Sequence, residues 1–330
     1  MNKSDIRKII SESILADGMS PIIDLEKSHG SWLVDKVTGK EYLDLFSMFA
    51  SLSVGYNHPY VLEQSERLKI AAINKPTNSD VYSEEMAQFV QTFKRVAQPD
   101  YLPMTFFIEG GGLAVENALK AAFDWKRRKN LAKGSSVRGE KVIHFKQCFH
   151  GRTGYTMSLT DSPDKRKTMY FPKFDWPRIT NPKITFPIKE NIDQIIELEN
   201  KAINEIKDAI IADPDNISSI IIEPIQGEGG DNHFRCEFME SLRSIADEND
   251  IILIYDEVQT GVGVTGKMWA HQNFSNKDCA EECKCGDGLL AKPDIISFGK
   301  KTQVCGVAAS KRFDEVDENV FRESSRINST

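Results

Sequence analysis

Five short apolar runs rich in β-branched residues punctuate the chain: Met104–Ile108, Lys141–Phe145, Ser219–Glu223, Ile251–Tyr255 and Asp294–Phe298. Between them the apolar spacing changes to that of helices, over Ala114–Arg128, Ile192–Ala212 and Cys236–Asn249. In the last of these, Met239, Leu242, Ile245 and Ala246 share one face. Strands that are apolar on both faces and alternate with helices predict an α/β fold, a mainly parallel sheet covered on both sides. In such sheets ligands gather beyond the carboxyl ends of the strands. The residues that follow each run are therefore the ones to read for chemistry.

The N-terminal part follows a different pattern. Ser31–Asp35 and Glu41–Leu45 read as two short strands joined by a turn at 36–40, a small hairpin outside the main sheet. The stretch from Thr153 to Lys189 is rich in Pro, Asp and aromatic residues without a clear period, and is expected to be a long ordered loop.

Composition narrows the class. A chain of 330 residues suits one large domain with appendages, and 40% hydrophobic with 28% charged residues is ordinary for a globular protein. A net charge of −7 gives no electrostatic footprint for nucleic acid. No apolar run is long enough to span a membrane, and the N-terminus lacks the apolar core of a secretory signal. The cysteines do not form a disulfide framework, so a reducing compartment, the cytoplasm, is expected. Cys279, Cys283 and Cys285 could hold a soft metal or lie in a surface insertion with reduced thiols; the nearest histidine is His271.

The strand ends carry the candidate chemistry. Lys300 follows Asp294–Phe298, with Gly299 permitting close backbone approach, although a lone lysine there is more often solvated and Lys301 stands beside it. Asp256 and Glu257 end the run before them; a carboxylate so placed can keep a pyridine nitrogen protonated, or can cap a helix or bind metal. Val258 would offer an apolar surface to a ring and Gln259 a hydrogen bond to a ring hydroxyl. Glu109-Gly110-Gly111-Gly112 joins a strand to a helix N-terminus, where free amides and the helix dipole favour a phosphate. Phe149, His150 and Arg152 follow Lys141–Phe145; Phe149 could stack on an aromatic group, and the guanidinium fork of Arg152 suits a carboxylate. Glu223 ends a strand, and Glu228 lies in a glycine-rich turn beyond it.

Taken in order, FHGRTGY, EPIQGEGG, DEVQTG and DIISFGK resemble the signature of the class III (ω-amino acid) aminotransferases. Within that class FFIEGGGLAVENALKAAFDWK, GKKTQVCG and INST resemble the branch that acts on the 6-amino group of lysine. The resemblance implies a fold-type I transferase with a seven-stranded sheet and pyridoxal 5'-phosphate as cofactor. It selects Lys300 over Lys301 as the lysine that holds the cofactor, with Asp256 on the pyridinium. It further implies Gly111 and Gly112 on the phosphate, Phe149 and Val258 on the ring faces, and Gln259 on the ring hydroxyl. Arg152 would bind the α-carboxylate of the substrates, and Glu228 would pair with an arginine and release it in turn. Asn328 and Thr330 would reach a partner subunit's cofactor phosphate across a homodimer. The substrates implied are L-lysine and 2-oxoglutarate, the products 2-aminoadipate 6-semialdehyde and glutamate. Ornithine, 4-aminobutyrate or a diamine as donor, or a truncated non-catalytic product, are the alternatives.

The expected layout is an N-terminal segment over 1–60, a large cofactor-binding domain over 61–315 and the start of a crossing segment over 316–330. The resemblance places a further small domain, with the arginine partner of Glu228, beyond Thr330. An insertion over Asn273–Lys292, longer than the family pattern, holds the cysteine cluster.

Overall fold

The computed structural model describes residues 2, 5–74, 81–274, 289–323 and 327. The cysteine cluster and the calls on Asn328 and Thr330 lie outside the described residues. The chain divides into two compact units, 1–81 and 82–330. The sequence reading placed that boundary at 60/61; the short helices Pro59–Glu63 and Ser65–Ile73 group with the N-terminal unit.

In the first unit, β1 (Trp32–Val34) and β2 (Glu41–Leu43) pair antiparallel, with Trp32 opposite Leu43 and Val34 opposite Glu41. Asp35 fixes the turn by accepting from the amides of Val37 and Thr38 and from the Thr38 hydroxyl, 2.6 Å away. Gly39 supplies the positive φ of 73° that closes it.

The second unit is built on a seven-stranded sheet in the order β3-β9-β8-β7-β6-β4-β5. Its strands are β3 (Met104–Ile108), β4 (Lys141–Phe145), β5 (Arg178–Ile179), β6 (Ile217–Ile222), β7 (Ile252–Asp256), β8 (Ile295–Phe298) and β9 (Cys305–Ala309). β4 to β8 run parallel, and β9 runs antiparallel to both β8 and β3. The five runs read from sequence are all strands. β5 and β9 were not anticipated: β5 has only two residues, and CGVAA in β9 is made of small side chains that give no apolar run. The stretch from Thr153 to Lys189 is ordered as expected, but contains β5, a helical turn at Thr156–Leu159 and a 3₁₀ turn at Lys165–Lys167.

Period-two alternation sends each central strand to both faces. Leu253 and Tyr255 pack with Ile220, Ile222, Ile296 and Phe298 against helices Ile188–Ala212 and Cys236–Glu248, through Ala202, Ile206, Phe238 and Leu242. Ile252 and Ile254 turn the other way, with Ile221, Ile295 and Val307, onto Val115, Ala118, Leu119, Ala122 and Trp125 of helix Gly111–Ala132. This sandwich makes the strand ends a rigid rim on which the site is mounted.

Candidate active site

The carboxyl ends of β7 and β8, the loop after β4 and the start of helix Gly111–Ala132 converge. Asp256, the last residue of β7, is 5% exposed. Its Oδ2 lies 2.8 Å from His150 Nδ1, and its Oδ1 accepts from the Ser297 hydroxyl at 3.0 Å and the Val258 amide at 3.1 Å. His150 Nε2 is buried without a hydrogen-bond partner among the described residues.

Lys300 follows β8 after Gly299, at a positive φ of 53°. A Cβ on Gly299 would come within 2.5 Å of Cys305 Sγ, so the residue before Lys300 has no room for a side chain. Burial lowers the Lys300 amine below its ordinary value, against the opposing pull of Asp256 and Glu223. Lys301 points elsewhere: it is 7% exposed and donates to the Gln259 carbonyl at 2.7 Å.

Glu223 follows β6 and is buried. Burial, reinforced by the negative charges of Asp256 and Glu228, pushes its carboxyl well above the usual range, although the Phe149 amide donates to it at 2.8 Å. Phe149 is thereby anchored. The neighbouring amide of His150 donates to the Thr160 hydroxyl at 3.0 Å.

Gly111 and Gly112 open a helix of 22 residues with no acidic residue in its first turn. A Cβ on Gly111 would lie 2.8 Å from Val258 Cγ1, and one on Gly112 would lie 3.2 Å from Thr153 Cγ2. Val258 also borders Gly299, 3.6 Å from where its Cβ would stand. Glycine amides, Val258 and the Lys300 turn therefore adjoin. Gln259 packs on the glycine-rich turn: a Cβ on Gly227 would meet its side-chain amide at 2.8 Å.

Glu228 Oε1 accepts from Lys167 Nζ and from the Ser162 hydroxyl, each at 2.6 Å, and Oε2 is buried without a partner among the described residues. The expectation was an arginine partner from beyond Thr330; within the described residues the partner is Lys167, carried by the loop after β4. Arg152, in the same loop, is exposed.

Two residues of the sequence motifs prove to have structural partners. Glu257 accepts from the amides of Ala270 and His271 and from His271 Nδ1, which fastens the 269–272 turn to β7. His271 Nε2 meets the Tyr101 hydroxyl at 2.7 Å, so both ring nitrogens are committed within the core. Asp294 Oδ2 accepts from the Leu253 amide, Arg243 and Arg312. Sequence reasoning named His150 without a role, and did not single out Ser297, Ser162 or Lys167. The His150–Asp256 pair spans 106 residues and leaves no local signal.

The donor set fits pyridoxal phosphate: a glycine cradle that a Cβ would fill, an apolar wall at Val258, a buried carboxylate, an unpartnered imidazole nitrogen and a lysine amine facing the carboxylates. Comparison with known proteins agrees. The model of the family described as aminotransferase class-III matches residues 14–316. The chain belongs to the class-III aminotransferases. Class-III aminotransferases are pyridoxal-phosphate-dependent transferases. An L-lysine-epsilon aminotransferase of Mycobacterium bovis is 48% identical over 98% of this chain and 69% of its own length. A lysine aminotransferase from M. tuberculosis, solved in the internal aldimine form, superposes with a TM-score of 0.92 at 47% identity, covering all of this chain and 73% of that one. A 4-aminobutyrate aminotransferase of Emericella nidulans is 32% identical over 87% of this chain and 59% of its own length. Among the described residues, no helix of this class-III chain is long and apolar enough to cross a membrane.

Proposed function

We propose that the chain transfers the ε-amino group of L-lysine to 2-oxoglutarate, forming 2-aminoadipate 6-semialdehyde and glutamate. The observation that carries the choice of donor is the 48% identity to an L-lysine-epsilon aminotransferase, against 32% to a 4-aminobutyrate enzyme. The cofactor, when bound, supplies a protonated ring that withdraws electrons from the substrate carbon bearing the amine. The protein's own groups supply the rest.

Asp256, held by His150, Ser297 and the Val258 amide, is the carboxylate for the ring nitrogen. The amides of Gly111 and Gly112 hold the phosphate at the helix N-terminus. Phe149 and Val258 cover the ring faces, and Gln259 takes the ring hydroxyl. Lys300 would anchor the cofactor, and its Nζ, once displaced by the substrate amine, would carry the proton from the terminal carbon of lysine to the cofactor. Burial lowers its affinity for a proton, which favours that exchange. Arg152 binds the α-carboxylate, which keeps the α-amine away and presents only the ε-amine. Glu228 adjusts the charge at the far end of the substrate. A homodimer in the cytoplasm completes this reading.

The test is a donor panel with 2-oxoglutarate on the purified chain loaded with pyridoxal phosphate, following glutamate. Lysine is the expected best donor. Faster reaction of ornithine or 4-aminobutyrate, or no reaction with any donor, refutes the proposal.

A further inference from the structure

Lys165, Arg166 and Lys167 are consecutive cations in one 3₁₀ turn, and only the last engages the site. Lys165 binds Asp161 at 2.8 Å, and Arg166 binds Asp164 at 2.8 Å. Lys167 instead places its ammonium 2.6 Å from Glu228 Oε1 and 5.6 Å from the centroid of the Phe149 ring. Its side chain is 32% exposed and that of Glu228 24%, so the pair is partly withdrawn from the screening that weakens surface ion pairs.

This cation sits at the edge of a cluster of carboxyl groups. Glu223, Asp256 and Glu228 are close enough for each neighbouring charge to be felt at Glu223. An acceptor with two carboxylates brings further negative charge into the same space. We infer that Lys167 is a specificity residue: by holding Glu228 through one oxygen beside Phe149, it allows the site to admit a second carboxylate on the acceptor. The inference rests on the reading of the site as one that passes an amine to a dicarboxylic 2-oxo acid. Without Lys167, Glu228 would have no cation beside it among the described residues, and its charge would repel that carboxylate.

The test uses unreactive probes on the full chain loaded with pyridoxal phosphate: glutarate, a dicarboxylate, and pentanoate, a monocarboxylate of equal length. Affinities are read from the change in the visible spectrum of the bound cofactor. The parent chain is expected to prefer glutarate. Lys167→Met should reduce that preference roughly tenfold, and Lys167→Arg should keep it. Ser162→Ala, which removes the second donor to the same oxygen, should shift the preference the same way by about threefold. An unchanged ratio in Lys167→Met, an equal weakening of both probes, or a parent chain that does not prefer glutarate overturns the inference. If Lys167→Met fails to fold, the Ser162→Ala ratio decides. The probes require no turnover, so a preference that collapses in Lys167→Met while no amine donor reacts would sink the proposed function and leave the role of Lys167 standing.

Discussion

His150 Nδ1 lies 2.8 Å from Asp256 Oδ2, and both side chains are closed off from solvent. One comes from the loop after β4, the other from the end of β7. With Nδ1 protonated, the imidazole donates to the carboxylate and fixes its orientation. Removing it leaves Asp256 with Ser297 and the Val258 amide, both on Oδ1, and strips Oδ2 of its donor. His150→Ala should therefore weaken cofactor retention by about 1–3 kcal/mol. Cofactor dissociation followed by fluorescence checks this; an unchanged rate argues that the pair is incidental.

Lys300 and Lys301 separate cleanly. Borohydride treatment of the cofactor-loaded chain should fix the label on the peptide that contains Lys300. Lys300→Ala should abolish labelling. Lys301→Ala should retain it, while loosening the Gln259 turn that its ammonium now holds at 2.7 Å. Labelling that survives Lys300→Ala ends the assignment.

Asp256 and Asp294 belong to neighbouring motifs but should fail in different ways. Asp294 ties the Leu253 amide to Arg243 and Arg312 inside the core. Asp294→Ala leaves those cations without their shared carboxylate and should cost about 3–5 kcal/mol of stability. At temperatures where it remains folded, its cofactor affinity should match the parent. Denaturant unfolding and cofactor titration on the same sample distinguish the two effects.

Gly111→Ala places a Cβ 2.8 Å from Val258 Cγ1. The helix gains propensity from alanine, about 1 kcal/mol at most, so stability should hold. The cost should fall on Val258 and on the phosphate amides, with cofactor affinity reduced roughly tenfold. A variant with parent-like affinity would show that Val258 yields freely.

Lys126 gives a pH signature. Its ammonium is buried against the carbonyls of Asn249 and Asp250, and burial brings it down to about 8 from 10.5. A neutral amine keeps two hydrogens, enough for both carbonyls. Below about 8 the folded chain carries the full cost of a buried charge; between 8 and 10.5 it sheds its proton while the unfolded chain still holds one. Stability from this group therefore rises with pH across that window. Lys301, also brought down to about 8 by burial and by Lys300, adds to the same rise. Lys126→Met should flatten the increase of the urea midpoint between pH 8 and 10. Parallel curves for variant and parent would refute it.

The sequence by itself determined the layout of this protein. Uniform apolar runs mark β3, β4, β6, β7 and β8 because strands buried on both faces need no polar alternation. The same rule directed attention to the residues after each run, where Lys300, Asp256, Phe149 and Gly111 stand. What it could not show was pairing. β9 went unseen because Cys305–Ala309 fits small side chains between β3 and β8, where packing rather than propensity selects them. His150 and Asp256, or Lys167 and Glu228, are brought together only when the sheet order is set. A partner's identity depends on which loops share a rim, and no local pattern records that. The fold decided that Glu257 and Asp294 hold the frame, that Asp256 and Lys300 face one another's charge, and that a loop lysine compensates Glu228.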